Sequence, residues 1–303
     1  MKTVTHIVLI IITLFLLDNP VTAQIPQPSS GTIQRFANFS SAFVDARNID
    51  VWLPANYNIQ KKYAVLYMHD GQMLFDSTIT WNKQEWKVEE TLTTLFASNH
   101  FKECIVVGIW NNGVYRHSEY FPEKPFYTLP QTMQDSLLPI ALKGKTQANN
   151  YLSFIVKELK PFIDSTFSTH TNQANTFIAG SSMGGLISMY AMCEYPQVFG
   201  AAACISTHWI GNIKYNDGII PKAFNNYLFK NLPSPQNHRF YFDYGTVDLD
   251  SFYKPYQLLV NQTMQKKGYT NAQWVTKAFV GENHSEKAWS KRLHIPFSFL
   301  LKK

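Results

Sequence analysis

The chain has 303 residues, 45% hydrophobic and 15% aromatic, with 27 Lys and Arg against 21 Asp and Glu, a net charge of +6. No Lys/Arg block concentrates that surplus, which argues against nucleic-acid binding. Cys104, Cys193 and Cys204 are odd in number and lie in apolar segments, and neither C-x-x-C nor H-E-x-x-H occurs, so buried free thiols, no metal and no cofactor are expected.

Residues 1–23 place Lys2 before an apolar run from Ile7 to Leu17 and Val21-Thr22-Ala23 before Gln24, the layout of a secretory signal peptide. The run is too short to span a bilayer, and nothing later offers a transmembrane stretch. Residues 24–303 are therefore expected to be one large α/β domain, secreted or periplasmic, with no membrane insertion after signal removal. Nothing in the sequence fixes an oligomeric state.

After a Pro/Ser linker, Thr32 to Phe39 and Asn48 to Leu53 read as two strands of an antiparallel edge, the second ended by Pro54. Tyr63 to Met68 is a continuous apolar strand leading into His69-Asp70-Gly71-Gln72, a loop suited to presenting a backbone N–H at Gln72 or Gly71 to an oxyanion. An ordinary turn would use the same residues. Glu85 to Ala97 reads as an amphipathic helix and Cys104 to Trp110 as the next buried strand. Strands alternating with helices at this spacing imply right-handed βαβ units and a mostly parallel sheet with helices on both faces.

The stretch from Asn111 to Lys145 breaks that rhythm and reads as a long Tyr-, Phe- and Pro-rich loop forming one pocket wall. Trp110, Arg116, Tyr120 and, further on, Trp209 are candidates for substrate contact. Asn149 to Phe167 has the periodicity of one helix. Asn175 to Leu186 then gives a buried strand, a sharp turn and a helix start around Gly180-Ser-Ser182-Met-Gly184. This G-x-S-x-G, so placed, predicts a nucleophile elbow, with Ser182 exposed and the Met183 N–H facing a developing oxyanion. A merely tight turn could use the same glycines. What separates the two readings is whether an acid and a histidine follow.

They do. Ala201 to Ile205 and Arg239 to Phe242 read as further core strands, with Ile210 to Pro235 a polar loop between them and His208 either at the substrate or structural. Asp248 and Asp250 follow the second strand, before a helix from about Phe252 to Lys267. Trp274 to Val280 is the last strand, and His284 stands in the loop after it, before a C-terminal helix. Serine, acid, histidine, each after a strand, is the order of a hydrolase triad on this kind of sheet.

The stretches Y-M-H-D-G-Q-M-L-F-D (67–76), V-V-G-I-W-N-N (106–112), R-H-S-E-Y (116–120), E-L-K-P-F-I-D (158–164), G-S-S-M-G-G, Y-P-Q-V-F-G (195–200) and E-N-H-S-E (282–286) resemble the Putative esterase family, an esterase D-like branch of the α/β-hydrolases that includes feruloyl, acetyl xylan and siderophore esterases and mycolyltransferases. The resemblance spans roughly residues 47–301. It implies the α/β-hydrolase fold and a serine carboxylic-ester hydrolase, with Ser182 as nucleophile and His284 as base. For the acid, Gly245-Thr-Val-Asp248 matches the family's strand-end pattern, but alignment from the helix side favours Asp250, which is the expected acid, with Asp248 the alternative. The expected substrate is a small-molecule or carbohydrate ester, with acyl or feruloyl esters of carbohydrate foremost. An acyltransferase with the same triad, a silent secreted carbohydrate-binding protein on the same fold and a peptidase are the alternatives.

Overall fold

The computed structural model describes residues 24–215 and 217–303. The expected signal peptide, residues 1–23, lies outside the described residues. Where the sequence reads as unbroken apolar runs, the chain forms strands buried at every position: β3 (Ala64–His69), β4 (Cys104–Ile109), β5 (Thr176–Ser181) and β6 (Ala201–Ile205). Burial on both faces is what a central parallel sheet demands. These strands join β1 (Thr32–Phe39), β2 (Arg47–Leu53), β7 (Arg239–Gly245) and β8 (Trp274–Phe279) in one sheet of order β1-β2-β4-β3-β5-β6-β7-β8. The pairs β1/β2 and β2/β4 are antiparallel and the rest are parallel, so β1 and β2 form the antiparallel edge.

Alternate residues of the strands feed two cores. Val65, Tyr67, Val107, Ile178, Cys204 and Phe242 face one side, while Leu66, Met68, Val106, Ala179, Ala203 and Tyr241 face the other. The second face is closed by α1 (Val88–Phe96) and by the C-terminal helices through Trp289, Leu293, Phe297 and Leu300.

Segments 111–145 and 210–235, expected as loops, are largely helical. The first holds α2 (Arg116–Tyr120), α3 (Glu123–Phe126) and α4 (Gln131–Ile140). The expected single helix over 149–167 is instead α5 (Ala148–Phe154), a π-helical turn over Ile155–Leu159 and α6 (Lys160–Thr166). Pro161 explains the interruption: its ring clashes with the carbonyl four residues back, and widening the preceding turn relieves that. After α7 (Met183–Glu194), the second segment carries α8 (Ile219–Asn231), with Ile220, Phe224, Tyr227 and Leu228 buried at helical spacing. Then α9 (Lys254–Lys266) follows β7, and the C-terminal helix is two, α10 (Glu286–Arg292) and α11 (His294–Leu301), with Pro296 in the first turn of the second. No helix among the described residues is long and apolar enough to cross a membrane.

Because β3 to β8 run parallel, the loops that follow them gather at one edge of the sheet. That edge is where every candidate residue read from a post-strand loop must meet.

Candidate active site

Ser182 sits between β5 and α7 with φ 57° and ψ −121°. A non-glycine residue held there costs about 1–3 kcal/mol and persists only when its surroundings over-determine it. They do: the Ser182 N–H donates to the Ile205 carbonyl (2.9 Å), and the Ser182 carbonyl accepts from the N–H of His208 (3.1 Å). Strand and helix can fold back this tightly because position 180 is glycine, where a Cβ would fall 2.8 Å from the carbonyl carbon of Gly184.

His284, in the loop after β8, hydrogen-bonds through Nδ1 to Asp250 Oδ1 at 2.5 Å. Asp250 lies in a 3-10 turn over Asp248–Phe252, with its side chain wholly buried. Its second oxygen accepts from the Gly245 N–H (2.6 Å) and from Ser206 Oγ (2.6 Å). Burial alone would raise this carboxyl's pKa, but the hydrogen bonds and charge of His284, with those from Ser206 and Gly245, outweigh it and hold the group below its ordinary range. Asp250 is thus ionised and acceptor-only, which makes Nδ1 the donor and leaves Nε2 as the basic nitrogen of His284. The His284 ring is wedged edge-on against Trp289 (5.0 Å) and Tyr253 (5.9 Å). Asp248 is exposed, at φ 52°, and its carbonyl accepts from Ser251 Oγ (2.6 Å).

Support for Asp250 comes from residues that sequence reasoning passed over. Ser206 Oγ accepts from Trp289 Nε1 (3.0 Å) and Arg292 Nη2 (2.9 Å) while donating to Asp250. Arg292 also pairs with Asp243, a buried carboxylate that takes the Ser206 N–H (3.0 Å) and the Tyr241 hydroxyl (3.0 Å). The clue in the sequence is Asp243, a charge directly after the aromatic run Phe240-Tyr241-Phe242, since serines after strands are too common to signal anything.

Across from His284 stands the loop after β3. Asp70 adopts a left-handed conformation (φ 57°, ψ 44°) and opens a 3-10 turn over Gly71–Met73. Arg116 grips Asp70 with two hydrogen bonds, Nε to Oδ1 and Nη2 to Oδ2, both 2.7 Å, and Asn111 Nδ2 adds a third to Oδ1 (2.7 Å). The Asp70 N–H donates to the Tyr120 hydroxyl (3.3 Å), and Gln72 Oε1 accepts from the Asn111 N–H (3.2 Å). Although burial pushes the Asp70 carboxyl up, Arg116 and Asn111 hold it below its usual value. Gly71 presses on β4, where a Cβ would fall 2.5 Å from the carbonyl carbon of Gly108. Gln72 thus lies in a turn packed against β4 and lines the same cleft as Ser182, and the Met183 N–H, at the first position of α7, has no carbonyl within its own helix to serve.

Ser182, His284, Gln72 and Arg116 line one cleft of about 540 Å³, with Met183 buried beside it. Trp110, Tyr120 and Trp209, expected as substrate contacts, are not among the residues that line it. Trp110 donates to Asp50 (2.7 Å) beneath the Arg35 guanidinium, Tyr120 is fully buried under Asp70, and Trp209 donates to Gln257 (2.8 Å) inside the core. His208 is buried too, its pKa pushed down to about 3 by desolvation, and hydrogen-bonds the Tyr253 hydroxyl (2.7 Å). The cleft's other wall comes from Trp81, Asn82, Gln84 and Trp86, which belong to a polar stretch with two tryptophans, and from Glu286. Among the described residues no cluster of His, Cys, Asp or Glu is arranged to hold a metal, and all three cysteines are free and buried.

Comparison with known proteins bears on the family and the fold. Residues 40–295 match the model of a family described as Putative esterase. The chain is 25% identical over 249 residues to the uncharacterized protein YbbA of Bacillus subtilis (strain 168), covering 81% of this chain and 89% of that protein. Among solved structures, a ferulic acid esterase superposes with a TM-score of 0.65 at 19% identity, over 90% of this chain and 98% of that one. An IroE-like serine hydrolase from Shewanella oneidensis superposes at 0.62 and 19% identity, over 89% and 79%. At such identities the structural likeness speaks for the fold.

Proposed function

Because the chain belongs to the Putative esterase family and is a carboxylic-ester hydrolase of the α/β-hydrolase fold, we propose that it works as a serine esterase through Ser182, His284 and Asp250, cleaving acyl or feruloyl esters of carbohydrate by way of an acyl-enzyme. The observation that carries this reading is the 2.5 Å hydrogen bond from His284 to a buried, ionised Asp250, with His284 lining the same cleft as the strained Ser182. His284 Nε2 takes the Ser182 proton as the oxygen attacks the ester carbonyl, forming the tetrahedral intermediate. The N–H groups of Met183 and Gln72 receive the oxyanion. Asp250 keeps His284 in the correct tautomer and stabilises its cation, which then protonates the departing alcohol. Water, activated by the same histidine, releases the acid and restores Ser182.

Export through residues 1–23, to the outside of the cell or the periplasm, belongs to the same proposal, since an ester on a polysaccharide is met there. The decisive test is Ser182→Ala. Its esterase activity should fall by about 10³-fold or more with the melting temperature within a few degrees of wild type, and its labelling by a fluorophosphonate should vanish. A variant within tenfold of wild type would sink the nucleophile assignment.

A further inference from the structure

Between Asp76 and Trp86 the chain forms turns rather than helix or strand, yet it is firmly fastened. Asp76 Oδ1 accepts from the N–H (2.9 Å) and Oγ1 (2.6 Å) of Thr78, and Lys83 Nζ donates to the Thr78 carbonyl (2.6 Å). Glu85 takes the Ser77 N–H (3.1 Å), and Trp86 packs on Trp289 with ring centres 5.2 Å apart. Two further bonds tie the loop to the start of α10: Asn82 Nδ2 to Glu286 Oε2 (2.9 Å), and the Lys287 N–H to Gln84 Oε1 (3.0 Å). At its tip Trp81 lines the cleft while remaining 84% exposed.

A pinned loop that holds a large apolar ring in water, at the mouth of a cleft, is arranged for something that covers the ring. The neighbours narrow what that is. Asn82, Gln84, Asn111, Gln72, Glu286 and Arg116 are polar, and the one aliphatic side chain in the lining, Met73, is itself buried, so a long acyl chain has no bed here. A sugar ring has the matching surface, a flat face of C–H groups inside a rim of hydroxyls. The location narrows it further. The loop that carries Trp81 is tied through Asn82 and Gln84 to Glu286 and Lys287, just after His284, and the histidine delivers its proton to the leaving alcohol, whereas the turn carrying Gln72 lies on the oxyanion side.

We propose that Trp81 is the stacking platform for a glycosyl unit in the alcohol part of the substrate, with the side chains of Asn82, Gln84 and Glu286 around it to take its hydroxyls. This rests on the serine-esterase reading for the word "substrate" but not for the binding itself. Two measurements separate the two. Ethyl ferulate and feruloylated arabinoxylo-oligosaccharides share an acyl group and differ in the alcohol. Trp81→Ala should lower kcat/KM on the sugar ester about tenfold more than on the ethyl ester, chiefly through KM, and Trp81→Tyr should recover most of the difference. Equal losses on both esters would overturn the proposal. Calorimetry on the Ser182→Ala protein with xylohexaose, arabinohexaose and cellohexaose should show binding to at least one, lost when Trp81→Ala is added; binding to none, or binding that survives, would also overturn it. A wild-type protein that cleaves neither ester would count against the esterase mechanism, and calorimetry would then judge Trp81 alone.

Discussion

Two aspartates two residues apart, Asp248 and Asp250, look alike in sequence and differ completely in place. One is exposed on the turn; the other is wholly buried with three hydrogen-bond donors on its carboxylate. What separates them is the 3-10 turn over Asp248–Phe252, a feature too short to leave a periodic signal. Asp250→Asn should reduce kcat by up to about 10⁴-fold, because the amide can no longer hold His284 in the working tautomer, while Asp248→Asn should stay within a few-fold of wild type. Steady-state kinetics on the two variants decide it, and a crippled Asp248→Asn would transfer the acid's role. The same scale shows what was hidden. Ser182 and His284 announce themselves through spacing, whereas Trp110, Tyr120 and Trp209 looked like pocket walls only because aromatic residues after strands resemble binding residues. Their polar atoms are engaged with Asp50, Asp70 and Gln257 inside the protein.

Short elements were the least legible. Both α2 and α3 have five residues or fewer, below any window in which a 3.6-residue period can be recognised, so the stretch around them read as loop. Yet α2 carries Arg116, whose fork holds Asp70 at the start of the turn that contains Gln72, the residue proposed to receive the oxyanion. Arg116→Ala should lower kcat roughly 10- to 100-fold, and Arg116→Lys should restore little of it, because an ammonium cannot reproduce the two parallel bonds. Recovery by lysine to near wild type would mean that charge alone matters. A second element-level test concerns α1. Glu89 in its first turn is buried, accepts from the Ser29 N–H (3.1 Å), and has its pKa pushed up to about 8 by desolvation. Between the ordinary carboxylate value and 8, the folded protein keeps a proton that the unfolded chain has lost, so this site's contribution to stability declines as pH rises from 5 to 8. In melting curves across that range Glu89→Gln should therefore gain on wild type as pH increases. A constant difference between the two would refute this.

At the level of the whole molecule, the sheet was the most legible part, because strands buried on both faces must be apolar throughout and so stand out as runs. Helix α8 was missed because Asn and Lys dominate its outer face and mask the buried Ile220, Phe224, Tyr227 and Leu228. Global acid stability should report the cleft's ion pair. The Asp70 carboxyl is depressed in the folded state, so its stabilisation is complete above the ordinary value near 3.9 and is lost as pH falls through the lower folded value. The gap in melting temperature between wild type and Asp70→Asn should therefore shrink between pH 6 and pH 3, and a gap that widens would reverse the sign of the argument. Finally, the chain has seven tryptophans, of which Trp52, Trp86, Trp209, Trp274 and Trp289 are buried and Trp110 is half-buried. Trp81 alone meets solvent freely, so a collisional quencher such as iodide should extinguish one red-shifted component of the emission and spare the rest. The molecule thus carries an optical gauge at the mouth of its own cleft, one that needs no attached dye.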